Sequence, residues 1–357
     1  MASAFKRVLP VIALLALFLL VAIVAGGAWV WQKQQSFVDE PLAGLQEDGT
    51  IEVASGDSFA SVLRKLRATG VEDGHDLQWR WLARELDAAG NLKVGEFALE
   101  PGTTPRDLLV RMRDGKIIQY RFTLVEGWNI RQLRRALDSA NPLRHEGSEL
   151  DDAALMKVLG LEGVHPEGRF LPDTYLYSRS DSDLDILRRA HAAMEKALAE
   201  AWDARDPDAP LKSAEEALIL ASIIEKETGV ADERPQIAGV FARRLQKGWL
   251  LQTDPTVIYG LGSAYDGNIR KRDLLTDTPY NTYTRKGLTP TPIAMPSREA
   301  LRAAVNPAPG ETMYFVALGD GTRGHAFSAT YAEHQAAVTR YWQRRRQQDA
   351  AARESQP

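Results

Sequence analysis

Between Val8 and Trp31 the 357-residue chain carries no charged side chain, and Leu, Ala, Val and Ile dominate the run. A helix rises ~1.5 Å per residue, so roughly 20 such residues cross the hydrocarbon core of a bilayer. Pro10 falls in the first turn, where its missing N–H costs little. Trp29 and Trp31 stand where an interfacial aromatic belt lies. Lys6 and Arg7 precede the run, and Asp39 and Glu40 follow just past Lys33. The positive-inside rule then puts residues 1–7 in the cytoplasm, a transmembrane helix at 8–31 and everything after it outside. Ala25-Gly26-Gly27-Ala28 is small enough to be a signal-peptide cleavage site. The apolar core is longer than the ~7–15 residues of such peptides, which favours a retained anchor. One hydrophobic span does not make a transporter or channel.

The rest reads as ordinary globular protein, 44% hydrophobic and 26% charged, long enough for about two domains. Forty-four Lys and Arg against 48 Asp and Glu leave a formal charge of −4, so the basic footprint of a nucleic-acid binder is absent. With no cysteine, disulfides, thiolate metal sites and cysteine nucleophiles are all excluded.

The expected fold class is α+β. Residues 32–48 are polar and mixed, as in a short stalk. Over 49–125, Ile51-Glu52-Val53 alternates like a strand, and Ser58 can cap a helix carrying Phe59, Val62, Leu63 and Leu66. A second amphipathic stretch covers Leu77 to Leu86, a strand Leu92 to Leu99, a helix Arg106 to Arg113, and a strand Ile117 to Val125. The strand–helix–helix–strand order, with Ser55-Gly56-Asp57-Ser58 at the first cap, fits a LysM-like module and equally a generic α+β packing domain. From 126 to 345 the pattern is a mainly helical domain, with late strands at Met313–Leu318 and His325–Ser328 and a final helix over about Thr330 to Arg346. Residues 346–357 read as a polar tail.

Three clusters could carry chemistry. The first ends a helix opened by a capping box, Ser213 with Glu216: Ala221-Ser222-Ile223-Ile224-Glu225-Lys226-Glu227-Thr228. Glu227 follows Ile224 and Ile223 by three and four residues and extends the apolar stripe, whereas Glu225 follows Ala221 and Ser222. A carboxyl at such an edge is costly to ionise and keeps its proton to higher pH, as a general acid for a glycosidic oxygen must. Glu-Lys-Glu is equally the pattern of a solvated helix end. The second cluster is Leu251-Gln252-Thr253-Asp254-Pro255-Thr256-Val257-Ile258-Tyr259-Gly260, in which Asp254 before Pro255 suits a helix N-cap without any further role. Gln252 and Thr253 would face a cleft bordered by that helix start. The third, Tyr280-Asn281-Thr282-Tyr283-Thr284 with Gly287 to Ala294, mixes rings, amides and hydroxyls, as sugar recognition requires and as a well-ordered loop also provides. The six histidines fall at no metal-ligand spacing, and neither a Walker A, a Rossmann fingerprint nor a G-x-S-x-G motif occurs.

Together with Glu167-Gly168 and Pro172-Asp173-Thr174, these clusters resemble the endolytic murein transglycosylases (the MltG, or YceG-like, family) along essentially the whole chain. The resemblance implies a bacterial inner-membrane lyase with its catalytic domain in the periplasm. Such an enzyme cleaves nascent peptidoglycan strands between N-acetylmuramic acid and N-acetylglucosamine, leaves 1,6-anhydro-muramyl ends, and so limits strand elongation. It implies no metal and no cofactor, glycan strands and the membrane as partners, and peptidoglycan synthases as candidate partners. The family's catalytic glutamate falls on Glu227. Glu225 is the fallback acid, and Gln252, Asp254, Tyr280 and Asn281 are expected to shape and line the cleft. A non-catalytic peptidoglycan-binding scaffold for cell-wall synthases, and a glycoside hydrolase using a second carboxylate, are the competing readings.

Overall fold

In a computed structural model of the chain, residues 14–350 are described with their side chains, and the terminal helices reach Ala2 and Glu354. The side chains of Lys6, Arg7 and Pro10 and those of residues 351–354, and residues 355–357 altogether, lie outside the description. The chain forms two compact units, Met1–Tyr120 with Ser178–Ser180, and Arg121–Tyr177 with Asp181–Pro357.

The first unit begins with α1 (Ala2–Asp39), which is long and apolar enough to cross a membrane from Leu14 onward. The helix does not stop at the end of the apolar run. It continues until Val38 and then Leu42 are buried in the core of the unit, with Phe37 edge-on to Trp79 at 5.2 Å. The stalk expected over 32–48 is therefore not a free linker, because its apolar residues at three- and four-residue spacing are core contacts. β1 (Thr50–Val53), α2 (Phe59–Ala68), α3 (Asp76–Glu85) and β2 (Gly95–Ala98) follow, with the strands antiparallel and Ile51 opposite Phe97. Ser58 accepts from the Ser61 N–H and caps α2; α3 is capped by His75 with Gln78. α4 (Pro105–Asp114) starts on Thr104 and ends on Gly115, whose φ of 70° is the left-handed turn a glycine makes cheaply. Trp79, Leu82, Phe97 and Leu108 are fully buried, and burying a leucine or phenylalanine contributes about 1.5–3 kcal/mol.

β3 (Tyr120–Leu124) begins at the boundary between the units and pairs with β4 (Asp173–Tyr177); between them lie α5 (Ile130–Asp138) and α6 (Asp152–Val158). α7 (Asp183–Asp203), α8 (Ala214–Glu227), α9 (Arg234–Gln246), α10 (Asp254–Leu261), α11 (Lys271–Leu275) and α12 (Arg298–Val305) build the helical body. β5 (Tyr314–Ala317) and β6 (His325–Ser328) form an antiparallel hairpin, Phe315 opposite Phe327. α13 (Tyr331–Glu354) runs past the expected end near Arg346, so no separate tail begins there.

The centre of this unit is α8. Every residue from Ala217 to Ile224 is buried, so the helix is enclosed on all sides by α7, α9 and α12 rather than along one stripe. Ser222 is accommodated there because its hydroxyl donates to Ile219 O at 2.7 Å and accepts from Ile293 N at 3.0 Å. The capping box is half formed: Ser213 Oγ accepts from Glu216 N, but the Glu216 carboxylate accepts from Lys212 N instead of Ser213 N.

Candidate active site

Both glutamates at the end of α8 point into protein, so the stripe argument does not separate them. Their partners do. The Glu225 side chain is only 5% exposed; Oε2 accepts from the Ser297 N–H at 2.9 Å and the Ser297 hydroxyl at 2.5 Å, and Oε1 faces Arg234 Nη2 at 3.5 Å. Ser297 in turn caps α12. Glu225 is thus tied into the packing of α8 against α12 and, unlike Glu227, is absent from the cleft lining.

Glu227 lies on the wall of a cleft of about 480 Å³, together with Arg244, Gln252, Asp254, Tyr283, Tyr314 and His325. Among the described residues, its side chain accepts one hydrogen bond, from Thr253 Oγ1 at 2.7 Å to Oε2. Burial pushes the Glu227 carboxyl above its ordinary range and the nearby Asp254 charge adds to the rise, while the Thr253 hydroxyl, His325 and Arg244 oppose it.

The Leu251–Gly260 segment is built to present Thr253. Gln252 has φ of 50°, a left-handed conformation that costs a non-glycine residue about 1–2 kcal/mol. Its N–H donates to Thr282 O at 3.1 Å, fixing the kink between buried Leu251 and buried Thr253. Thr253, not Asp254, occupies the N-cap position of α10, and its hydroxyl serves Glu227 instead of the helix. The expectation for Asp254 fails by one residue: it is the first helical residue, Pro255 follows in the same turn, and its carboxylate accepts from Tyr283 OH at 2.5 Å.

Tyr280 and Asn281 do not line the cleft, contrary to the sequence expectation. Tyr280 packs edge-on to Tyr259 at 4.9 Å and bonds Thr291 through its hydroxyl. Asn281, 1% exposed, donates to the carbonyls of Asp273, Leu274 and Thr276 and accepts from Tyr283 N. Its amide holds the loop from behind, so that Thr282 can bond Thr253 N and Thr256 while Tyr283 reaches Asp254.

Sequence reasoning missed Arg244, Tyr314 and His325, and used Tyr283 only as part of a cluster. Arg244 is buried; it donates to Met313 O at 2.9 Å and Leu251 O at 2.5 Å and lies over the Tyr314 ring at 5.7 Å. His325 engages Glu233 twice, by its backbone N–H and by Nδ1, each at 2.7 Å. With Nδ1 so occupied, Nε2 is the ring nitrogen left for other partners. The strand pattern in the sequence places His325 at the start of β6 but does not mark it as a site residue.

The fourth motif lies elsewhere. Glu167 is fully buried and accepts the Ile130 N–H at 3.0 and 3.2 Å at the start of α5. Burial pushes its carboxyl up to about 7, against the Ile130 and Tyr259 hydrogen bonds. Gly168 has φ of 80°, and a side chain there would meet Pro292 at 2.6 Å, which explains the glycine after Glu167. Among the described residues no group of His, Asp and Glu could hold a metal ion.

The sequence profile of the YceG-like family matches residues 51–340. This chain belongs to the YceG-like family. It is 27% identical over 336 residues to the endolytic murein transglycosylase of Bacillus subtilis, covering 89% of this chain and 91% of that one. It is 26% identical over 345 residues to the endolytic murein transglycosylase of Streptococcus pneumoniae, covering 87% of this chain and 61% of that protein. The crystal structure of a YceG-like protein from Listeria monocytogenes superposes with a TM-score of 0.50 at 28% identity, covering 82% of this chain and 99% of that one. The YceG-like match spans the α8, α10 and β6 segments that meet at the cleft.

Proposed function

We propose that this chain is an endolytic murein transglycosylase, a lyase cutting nascent peptidoglycan strands between N-acetylmuramic acid and N-acetylglucosamine. The observation that carries the reading is Glu227, a carboxyl whose burial favours its protonated form, on the wall of a cleft lined by rings, an amide and hydroxyls. Protonated Glu227 donates to the glycosidic oxygen as positive charge develops at C1. The resulting carboxylate, steadied by the Thr253 hydroxyl, takes the proton of the muramyl C6 hydroxyl as that oxygen closes on C1. The bond broken is C1–O4, the bond formed is C1–O6, and one proton leaves and returns to the same side chain. Gln252, Tyr283 and Tyr314 meet the sugar, and Asp254 is held by Tyr283 to one side.

In this reading α1 anchors the protein in the bacterial inner membrane with the N-terminus cytoplasmic and both units periplasmic. The β1–α2–α3–β2 module is LysM-like and binds glycan, residues 126–345 form the catalytic domain, and peptidoglycan synthases are its protein partners. Asp254 in the same cleft also suits a hydrolase with a second carboxylate. Mass spectrometry of strands digested by the full-length protein separates the two. The proposal expects 1,6-anhydro-muramyl ends from wild type and none from Glu227→Gln. Reducing ends would establish the hydrolase instead, and intact strands with wild type would leave only a binding scaffold.

A further inference from the structure

In the first unit, three large apolar residues outside α1 are strongly exposed among those described: Leu77, Trp81 and Val94, at 69%, 48% and 48%. Leu77 and Trp81 are one helical turn apart on α3 and share a face. That face borders α1 at Trp29, Val30, Lys33 and Gln34, and the two helices enclose a groove of about 570 Å³. Lys33 Nζ lies 6.0 Å from the Trp29 ring, and Gln34 Nε2 donates to Gln78 O at 3.4 Å.

We propose that the groove between α1 and α3 is a phospholipid-binding site that seats the first unit on the bilayer surface. The proposal rests on the anchor reading of α1. It follows from the absence of a linker: the helix passes without interruption from the exposed apolar run into the core contacts of Phe37 and Val38. Trp29 to Gln34 is the last turn or so before those contacts, about 8 Å of helix at ~1.5 Å per residue. Once the apolar run is inserted, the unbroken helix and its packing against α3 therefore hold Leu77 and Trp81 at the level of the lipid glycerol and headgroups. An exposed leucine and two tryptophans are suited to that layer, where indole rings partition, and Lys33 faces the phosphates. The groove is also continuous with the lipid-facing surface of α1, which selects lipid over a soluble peptide as its occupant.

The chain contains no cysteine, so a single nitroxide can be placed without removing any residue for labelling. Full-length Leu77→Cys, Trp81→Cys and, as control, Arg64→Cys on α2 are reconstituted into phosphatidylethanolamine–phosphatidylglycerol vesicles. Flotation tests the anchor, and the accessibility of each label to oxygen and to a polar nickel complex tests the site. The expected result is flotation of all three, with the oxygen-to-nickel ratio several-fold higher at 77 and 81 than at 64. Flotation with equal ratios at the three positions overturns the site and leaves the anchor standing. Shielding of 77 and 81 from both reagents marks a protein occupant and overturns it as well. Failure to float removes the anchor and the lipid site together.

Discussion

Glu167 and Glu227 are both carboxyls in the second unit that burial pushes above their ordinary range, and they put that burial to different uses. Glu167 sits fully buried under α5, where both its oxygens take the Ile130 N–H. Glu227 takes one hydroxyl and otherwise meets a cleft of substrate size. A raised carboxyl is thus not by itself a catalytic acid. What distinguishes the acid is that its hydrogen-bonding capacity is left open toward a space a substrate can enter. Glu225 makes the same point from the other side, since its oxygens are satisfied by Ser297 and faced by Arg234.

The largest effect that can break this contrast is on turnover. Glu227→Gln lowers strand cleavage by at least about 10²-fold, the range of a lost general acid, with little change in melting temperature. Glu167→Gln and Glu225→Gln at permissive temperature retain cleavage, and product mass spectrometry on the three variants decides. Thr253→Val removes the hydroxyl that favours the Glu227 carboxylate. Activity is expected to fall about tenfold, the worth of a hydrogen bond to a charged group. The basic limb of the pH–rate profile moves to higher pH, because the proton is then held more firmly.

Stability provides the next test. Glu167 titrates near 7 in the folded protein against 4.5 unfolded. Between those values the folded state holds more protons, so stability falls as pH rises, by about 3 kcal/mol across the window. Glu227 adds to the same slope. Denaturant unfolding at pH 4.5 and 7 should show that loss in wild type and a markedly smaller one in Glu167→Gln. Glu225→Gln is expected to cost about 2–3 kcal/mol, by weakening the bonds its buried carboxyl takes from Ser297. The smallest effect is Tyr280→Phe. It loses the Thr291 bond and about 1 kcal/mol, with cleavage unchanged, because the ring packs against Tyr259 and does not line the cleft.

Much of the fold follows from local pattern. The Ser58 cap, the Thr104-Pro105 start, the Gly115 stop and the β5–β6 hairpin are written in neighbouring residues, and so they were legible. α12 and β4 were not identified, since each is short and packs on a partner distant in sequence, α8 for the helix and β3 for the strand. In the site, the Glu227 segment and Gln252 were visible as motifs. Arg244 and His325 were not, because their contacts with Leu251, Met313 and Glu233 exist only after α9 and the hairpin have packed together. The one-residue error at Asp254 has the same origin. A free α10 would prefer an aspartate cap, but Thr253 takes the position while its hydroxyl goes to Glu227.

The central claim is that Glu227 keeps its proton because it is buried beside an open cleft. Infrared difference titration of the full-length protein against Glu227→Gln measures this directly. The account predicts a carboxyl band, present in wild type and absent from the variant, that titrates clearly above the ordinary glutamate value of 4.5. A band titrating at or below 4.5 would contradict it.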